Sequence, residues 1–171
     1  MKTQKNITAD TALQRLQRLC VQSEQCRFDL DGKLRRWGFP ETVRRSILNA
    51  LARQKFFDDA RYCAAFIHDK AQYNHWGRRK IEAALWQKRI GEDIHGPLLD
   101  TVSEDVWIGS LRPLVAARRR SATGKTPYER TAKVVKYALM CGFQLDLIKR
   151  VLAESRQETG DIDDIDDVFT P

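Results

Sequence analysis

The sequence predicts an all-α protein made of three tandem three-helix units stacked into an elongated body. Two observations carry this. The apolar residues Leu30, Leu34, Phe39, Val43 and Ile47 are separated by 4, 5, 4 and 4 positions. The same separations recur in Ile81, Leu85, Ile90, Ile94 and Leu98, and again in Val134, Ala138, Phe143, Leu147 and Val151, at offsets of 51 and 53. Steps of 4 keep residues on one helical face, and a single step of 5 marks a tight turn between two helices. One further helix precedes each hairpin, so the period defines three-helix units.

In order along the chain, residues 1–8 are polar and expected to be loose. The first unit is expected over 9–55. Thr8 is a cap for a helix reaching about Val21, with Leu13, Leu16 and Cys20 on its inner face. Ser23 is expected to start a second helix ending at Gly38, a residue suited to a left-handed C-terminal turn. Pro40 fits the first turn of a third helix, with Val43, Ile47 and Leu51 inside. The second unit, 56–102, opens with Asp58 as cap and Tyr62, Ala65, Phe66 and Asp69 at helical spacing. An Asn-His-Trp-Gly turn follows, and a helix opens near Trp76 with Ile81, Ala84 and Leu85 on one stripe. The third unit, 103–155, contains a clear start signal. Thr126-Pro127-Tyr128-Glu129 is a capping box with proline at the first helical position. Pro97 and Pro113 fall inside expected helices, and a break or kink is expected at each. Residues 156–171 form an acidic segment expected to be disordered.

The chain has 171 residues, long enough to bury a core without metal or disulfide support. Residues 1–156 carry all 30 Lys and Arg against 17 of the 23 acids, a net charge of +13, while Glu158, Asp161, Asp163, Asp164, Asp166 and Asp167 follow without a base. A body this basic points to a polyanionic partner. No apolar run reaches membrane-spanning length. The opening MKTQKNITAD lacks the apolar core of a signal peptide, so the expected compartment is the cytoplasm.

Enzymatic signatures are weak. Ala122-Thr123-Gly124-Lys125-Thr126 resembles the end of a phosphate-binding loop, but Arg119 stands where its first glycine belongs. Asp58 and Asp59 are adjacent, and neighbours on a helix do not face one another. Cys20, Cys26, Cys63 and Cys141 form no CxxC pair and, with His68, His75 and His95, complete no zinc pattern. They read as buried reduced thiols. No catalytic residue, metal or cofactor is expected.

The basic clusters are the candidate interaction residues: Lys33, Arg35 and Arg36; Arg78, Arg79 and Lys80; Lys88 and Arg89; Arg118, Arg119 and Arg120; Arg130, Lys133 and Lys136. Arginine donates two parallel hydrogen bonds to phosphate or carboxylate. No base-reading motif accompanies them, so binding to single- or double-stranded DNA is expected to be sequence-independent and salt-sensitive. Trp86 lies off the Ile81 and Leu85 stripe, near Arg79, Glu82 and Arg89. It reads either as an interface anchor or as a packing contact with a neighbouring unit.

The segment Phe57-Asp58-Asp59-Ala60-Arg61-Tyr62, with Ala64-Ala65-Phe66-Ile67, Trp76-Gly77, and Ile81 through Leu85 to Lys88, resembles the RecX family of RecA regulators. Leu34-Arg35-Arg36-Trp37-Gly38 also fits, and the resemblance covers roughly 10–153. It implies a curved array of three-helix repeats that binds the RecA filament on DNA and lowers its recombinase and coprotease activities. Arg78, Arg79, Lys88 and Arg89 are the contacts expected first, from a monomer with no membrane association. The other readings are a general nucleic-acid-binding helical module and a helical scaffold for acidic protein surfaces.

Overall fold

The computed structural model describes residues 7–159, with side chains through Ser155. The expectations for residues 1–6 and 160–171 lie outside the described residues. Within them the chain is all-helical: α1 Ala9–Gln22, α2 Arg27–Arg36, α3 Glu41–Arg53, α4 Asp59–Gln72, α5 Arg78–Gln87, α6 Glu92–Asp100, α7 Glu104–Ser121, α8 Pro127–Met140 and α9 Leu145–Thr159. α9 therefore runs past residue 155, where the acidic segment was expected to begin. No helix among the described residues is long and apolar enough to cross a membrane.

Local signals place the starts of α1, α4 and α8. The Thr8 hydroxyl accepts the Thr11 N–H at 3.2 Å, and Asp58 Oδ1 accepts the Arg61 N–H at 2.9 Å. Thr126 accepts the Glu129 N–H at 3.1 Å, while the Glu129 carboxylate reaches back to the Lys125 N–H at 2.8 Å. Each cap satisfies an amide that the first helical turn leaves without a partner.

Ser23 does not begin a helix. It terminates α1, its N–H bonding Leu19 O at 3.2 Å, and α2 starts only at Arg27. The reason is a cap that comes from far along the chain: Asp59 Oδ1 accepts the Arg27 N–H at 2.8 Å. Pro40 stands just before α3 rather than in its first turn. In α4 the buried stripe is Cys63, Ile67 and Ala71, with Tyr62 and Phe66 half-buried beside it and Asp69 exposed. α6 and α7 run through Pro97 and Pro113 without interruption. Both prolines are exposed, so each lost amide bond falls on a side where water can satisfy the freed carbonyl.

The three equivalent turns share one geometry. Gly38, Arg89 and Gly142 have φ of +83°, +59° and +89°. The following amides close back onto the last turn: Phe39 to Leu34 O at 3.2 Å, Ile90 to Leu85 O at 3.1 Å, and Phe143 to Ala138 O at 3.2 Å. This is the Schellman arrangement, in which a left-handed residue reverses the chain and an apolar pair brackets it. The step of 5 in the sequence is that bracketing pair. Arg89 adopts the left-handed conformation at a cost of about 1–2 kcal/mol that glycine avoids.

The fold divides into two units. The first holds the described residues up to Phe66 together with Leu85–His95; the second holds Ile67–Ala84 and the described residues from Gly96 onward. The core of the first includes Ala12, Leu16, Leu30, Leu34, Ile47, Leu48, Leu51 and Phe57. The core of the second is built on Leu111, Val115, Val134, Ala138, Phe143, Ile148 and Val151. In the second unit the start of α5 meets the end of α8. The Gly77 N–H donates to Cys141 O at 2.7 Å and the Arg79 N–H to Gly142 O at 3.1 Å. Unpaired amides of one helix start thus satisfy unpaired carbonyls of another helix end.

Cys26, Cys63 and Cys141 are buried and Cys20 is half-buried, all as free thiols. Burial pushes Cys26 and Cys63 up to about 11, so both stay protonated at neutral pH and are poor nucleophiles. No group of three or more His, Cys, Asp or Glu among the described residues is placed to hold a metal ion.

Candidate functional site

The expected interaction residues separate into two kinds, cations tied into the fold and cations left open. In the first unit, Lys88 donates to Asp29 Oδ2 at 2.6 Å and its ammonium sits 5.5 Å from the Tyr62 ring centroid. Burial opposes the Lys88 charge, but the bonds to Asp29 and Tyr62 outweigh it and raise its pKa. Arg35 pairs with Asp31 at 2.8 Å, and Arg44 pairs with the other oxygen of the same carboxylate at 2.8 Å. Burial works against ionisation of Asp31, yet the two arginines hold its pKa below the usual value.

These groups belong to a cleft of about 420 Å³ along α2 and α3. Arg27, Arg35, Arg44, Arg45, Lys88 and Arg89 line it against three carboxylates, those of Asp31, Glu41 and Asp59, with Phe28 and Leu48 between them. The Arg89 guanidinium lies 5.8 Å from the Phe28 ring centroid, a cation–π separation. Trp86 is 71% exposed and Phe28 is 42% exposed. Lys33 and Arg36 have no side-chain partner among the described residues, and Arg36 is fully on the surface.

In the second unit, Arg78 is committed twice, to Glu82 at 2.8 Å and Asp100 at 2.7 Å. The Glu82 hydrogen bond is the main cause of its raised pKa. Lys80 lies over the Trp76 ring at 4.4 Å, and Arg118 over the Tyr137 ring at 4.6 Å. Arg119 donates to Ser155 Oγ at 2.8 Å. Arg130 and Lys133 donate to the carbonyls of Gly124 and Thr123, bracing the loop before α8. Arg79, Arg120 and Lys136 are exposed and have no side-chain partner among the described residues.

Every expected residue is thus exposed or half-buried, while Arg35, Arg78, Lys88, Arg119, Arg130 and Lys133 have hydrogen-bond partners within the fold. Arg27, Arg44 and Arg45, which also line the cleft, were not singled out in the sequence. Their signal was the Arg44-Arg45 pair one turn after Glu41, but a single helix does not show which of its faces meets another cation.

The model of the RecX second three-helix domain matches residues 58–94. The regulatory protein RecX of Thermobifida fusca is 24% identical over 143 residues, covering 84% of this chain and 77% of the relative. That of Ectopseudomonas mendocina is 28% identical, covering 78% and 87%, and that of Chromohalobacter salexigens is 26% identical, covering 93% and 99%. The chain thus carries a match to a RecX three-helix domain over residues 58–94 and is similar to RecX proteins over most of its length. Crystal structures give the same fold. A regulatory protein RecX superposes with a TM-score of 0.77 at 22% identity, over 85% of this chain and 71% of the other. RecX from Lactobacillus salivarius does so with 0.72 at 17% identity, over 85% and 95%. These relatives are named regulatory proteins, and this chain is similar to them.

Proposed function

We propose that this chain binds the RecA filament on DNA and lowers its recombinase and coprotease activities. The similarity to RecX proteins supports the choice of partner. The observation that carries the mode of contact is the set of open cations, Arg36, Arg79, Arg120 and Lys136, together with Arg89 on the Phe28 ring. Their charge is not spent on neighbouring carboxylates, so it is available to a phosphate backbone or an acidic protein surface. The contacts are to backbone phosphate rather than to bases, so affinity for single- and double-stranded DNA falls as salt rises.

The test is a titration of this protein into a RecA ATPase and strand-exchange assay on single-stranded DNA. Inhibition at a ratio well below one per RecA monomer supports the proposal. Inhibition that tracks only coverage of the DNA, and disappears when DNA is in excess, favours a general nucleic-acid-binding module instead. Capture of RecA from extract after nuclease treatment separates a protein partner from a DNA bridge.

A further inference from the structure

The second unit holds a pocket of about 470 Å³ where the start of α5, one side of α7 and the end of α8 come together. Two pairs of a cation and an aromatic ring line it, Lys80 with Trp76 and Arg118 with Tyr137; no carboxylate among the described residues does. Lys80 Nζ stands 4.4 Å from the Trp76 ring centroid, and the Arg118 guanidinium 4.6 Å from that of Tyr137. Ring faces thus position both cations, and neither has an ion-pair partner among the described residues. The cleft of the first unit differs, since Asp31, Glu41 and Asp59 stand among its arginines.

The pocket is accessible and its walls are fixed. Pro113, Ala117 and Ser121 form an exposed row at every fourth position of α7, and Tyr137 is 38% exposed. Of the lining residues, Leu114 and Cys141 belong to the core and the others are exposed or half-buried. His75 has φ +53°, a left-handed conformation that a residue with a Cβ rarely adopts. It turns the chain at the end of α4 so that the Trp76 N–H closes on Lys70 O at 3.0 Å. The Gly77 and Arg79 amides then fasten the start of α5 to the end of α8. Trp76 and Lys80 are therefore held against the helix that carries Tyr137 before any ligand arrives.

Aromatic rings beside unneutralised charge match a nucleoside phosphate whose base is unpaired. Bases stack on aromatic rings and on guanidinium planes, and phosphate accepts hydrogen bonds from lysine and arginine. We propose that this pocket seats one unpaired nucleotide of single-stranded DNA, its base against Tyr137 and Arg118 and its phosphate on Lys80. A base inside a duplex has no free face and cannot enter. The inference rests on the reading above that the chain binds DNA, and adds to it a preference for single strands. A strand fits better than a free nucleotide because an open cation adjoins each part of the pocket in sequence: Arg79 beside Lys80, Arg120 just past Arg118, and Lys136 beside Tyr137. The phosphates flanking the seated nucleotide thus meet charge as well.

The test measures binding by the full chain, without RecA and at fixed salt, to a short thymidine strand, an abasic strand of the same length, and a duplex of that length. The two strands carry the same phosphates, so their difference reads the base. The thymidine strand is expected to bind about five- to tenfold tighter than the abasic one. Ala117→Trp fills the pocket from an exposed helix position and removes no charge. It should abolish that difference and leave duplex binding unchanged. Arg118→Gln should weaken binding of the thymidine strand more than of the duplex, with a thermal melt like that of the parent chain. Equal affinity of the parent chain for thymidine and abasic strands overturns the pocket and leaves the DNA reading standing. A difference that survives in both variants also overturns it and places the base contact elsewhere. Failure to bind any of the probes overturns the DNA reading together with the pocket. Thymidine monophosphate that competes at the affinity of the strand assigns the pocket to a free nucleotide and overturns the strand.

Discussion

Gly77 and Gly142 meet backbone to backbone, and neither has room for a side chain. A Cβ on Gly77 would collide with the carbonyl carbon of Gly142 and the amide of Phe143; a Cβ on Gly142 would collide with the Lys80 amide. Gly38 occupies the equivalent turn in the first unit with φ +83° and nothing within 4 Å of its missing Cβ. The two turns therefore need glycine for different reasons. Gly38→Ala should cost only the left-handed penalty, about 1–2 kcal/mol. Gly142→Ala adds overpacking and the loss of inter-helix hydrogen bonds, for about 3 kcal/mol or more. Urea unfolding checks this, and equal costs at the two positions would contradict the close approach.

The neighbouring arginines Arg78 and Arg79 should behave oppositely. Arg78→Glu sets a third carboxylate beside Glu82 and Asp100. It should lower stability by about 1–2 kcal/mol, as expected for breaking a half-buried ion-pair network. Arg79→Glu removes no internal bond, so the thermal melt should be unchanged while inhibition of RecA weakens roughly tenfold. Lys5→Glu is the charge-matched control. A loss equal to that of Arg79→Glu would assign the effect to net charge and not to α5.

Asp58 and Asp59 are adjacent in sequence yet cap different helices, α4 and α2. Each change to alanine should cost about 1 kcal/mol. Because the two caps share no partner, the double variant should be additive within about 0.5 kcal/mol. Hydrogen exchange gives the finer readout: Asp59→Ala should speed exchange of the Arg27 amide, and Asp58→Ala that of Arg61. If Asp59→Ala leaves Arg27 protected, the long-range cap is not what starts α2.

Alkaline pH should act through the buried thiols. An ordinary thiol value of 9.0 becomes about 11 for Cys26 and Cys63, chiefly because burial disfavours the thiolate. The folded protein therefore holds these protons more tightly than the unfolded chain. Their stabilising share is fully present below about pH 9 and is lost as pH rises toward and through about pH 11. Cys26→Ala shifts stability by a constant amount from packing, but it should also flatten the decline between those limits. Denaturant melts of both proteins across the window measure the slope, and parallel slopes would exclude Cys26 as a contributor.

What the sequence made legible was local. The 4, 5, 4, 4 spacing is the buried and half-buried stripe of each hairpin plus the apolar pair that brackets a Schellman turn, all within a few residues. The caps at Thr8, Asp58 and Thr126 act within one helical turn, so residue type and position sufficed to find them. The start of α2 was misplaced because its cap, Asp59, lies 32 residues away. Pro97 and Pro113 do not break α6 and α7, because their exposure lets water replace the lost hydrogen bond.

For the candidate site, the sequence by itself determined the supply of charge: a basic body, clustered arginines and an acidic end. Only the tertiary structure decided which cations are free. Lys88 is paired with Asp29 across 59 residues, and Arg78 with Asp100, whereas Arg79 and Arg36 keep their charge open to solvent. Helical periodicity is a property of a few consecutive residues, set by backbone geometry. An ion pair or a glycine contact depends on which distant helices the packed core brings within a few ångströms, and that is fixed only when the chain has folded.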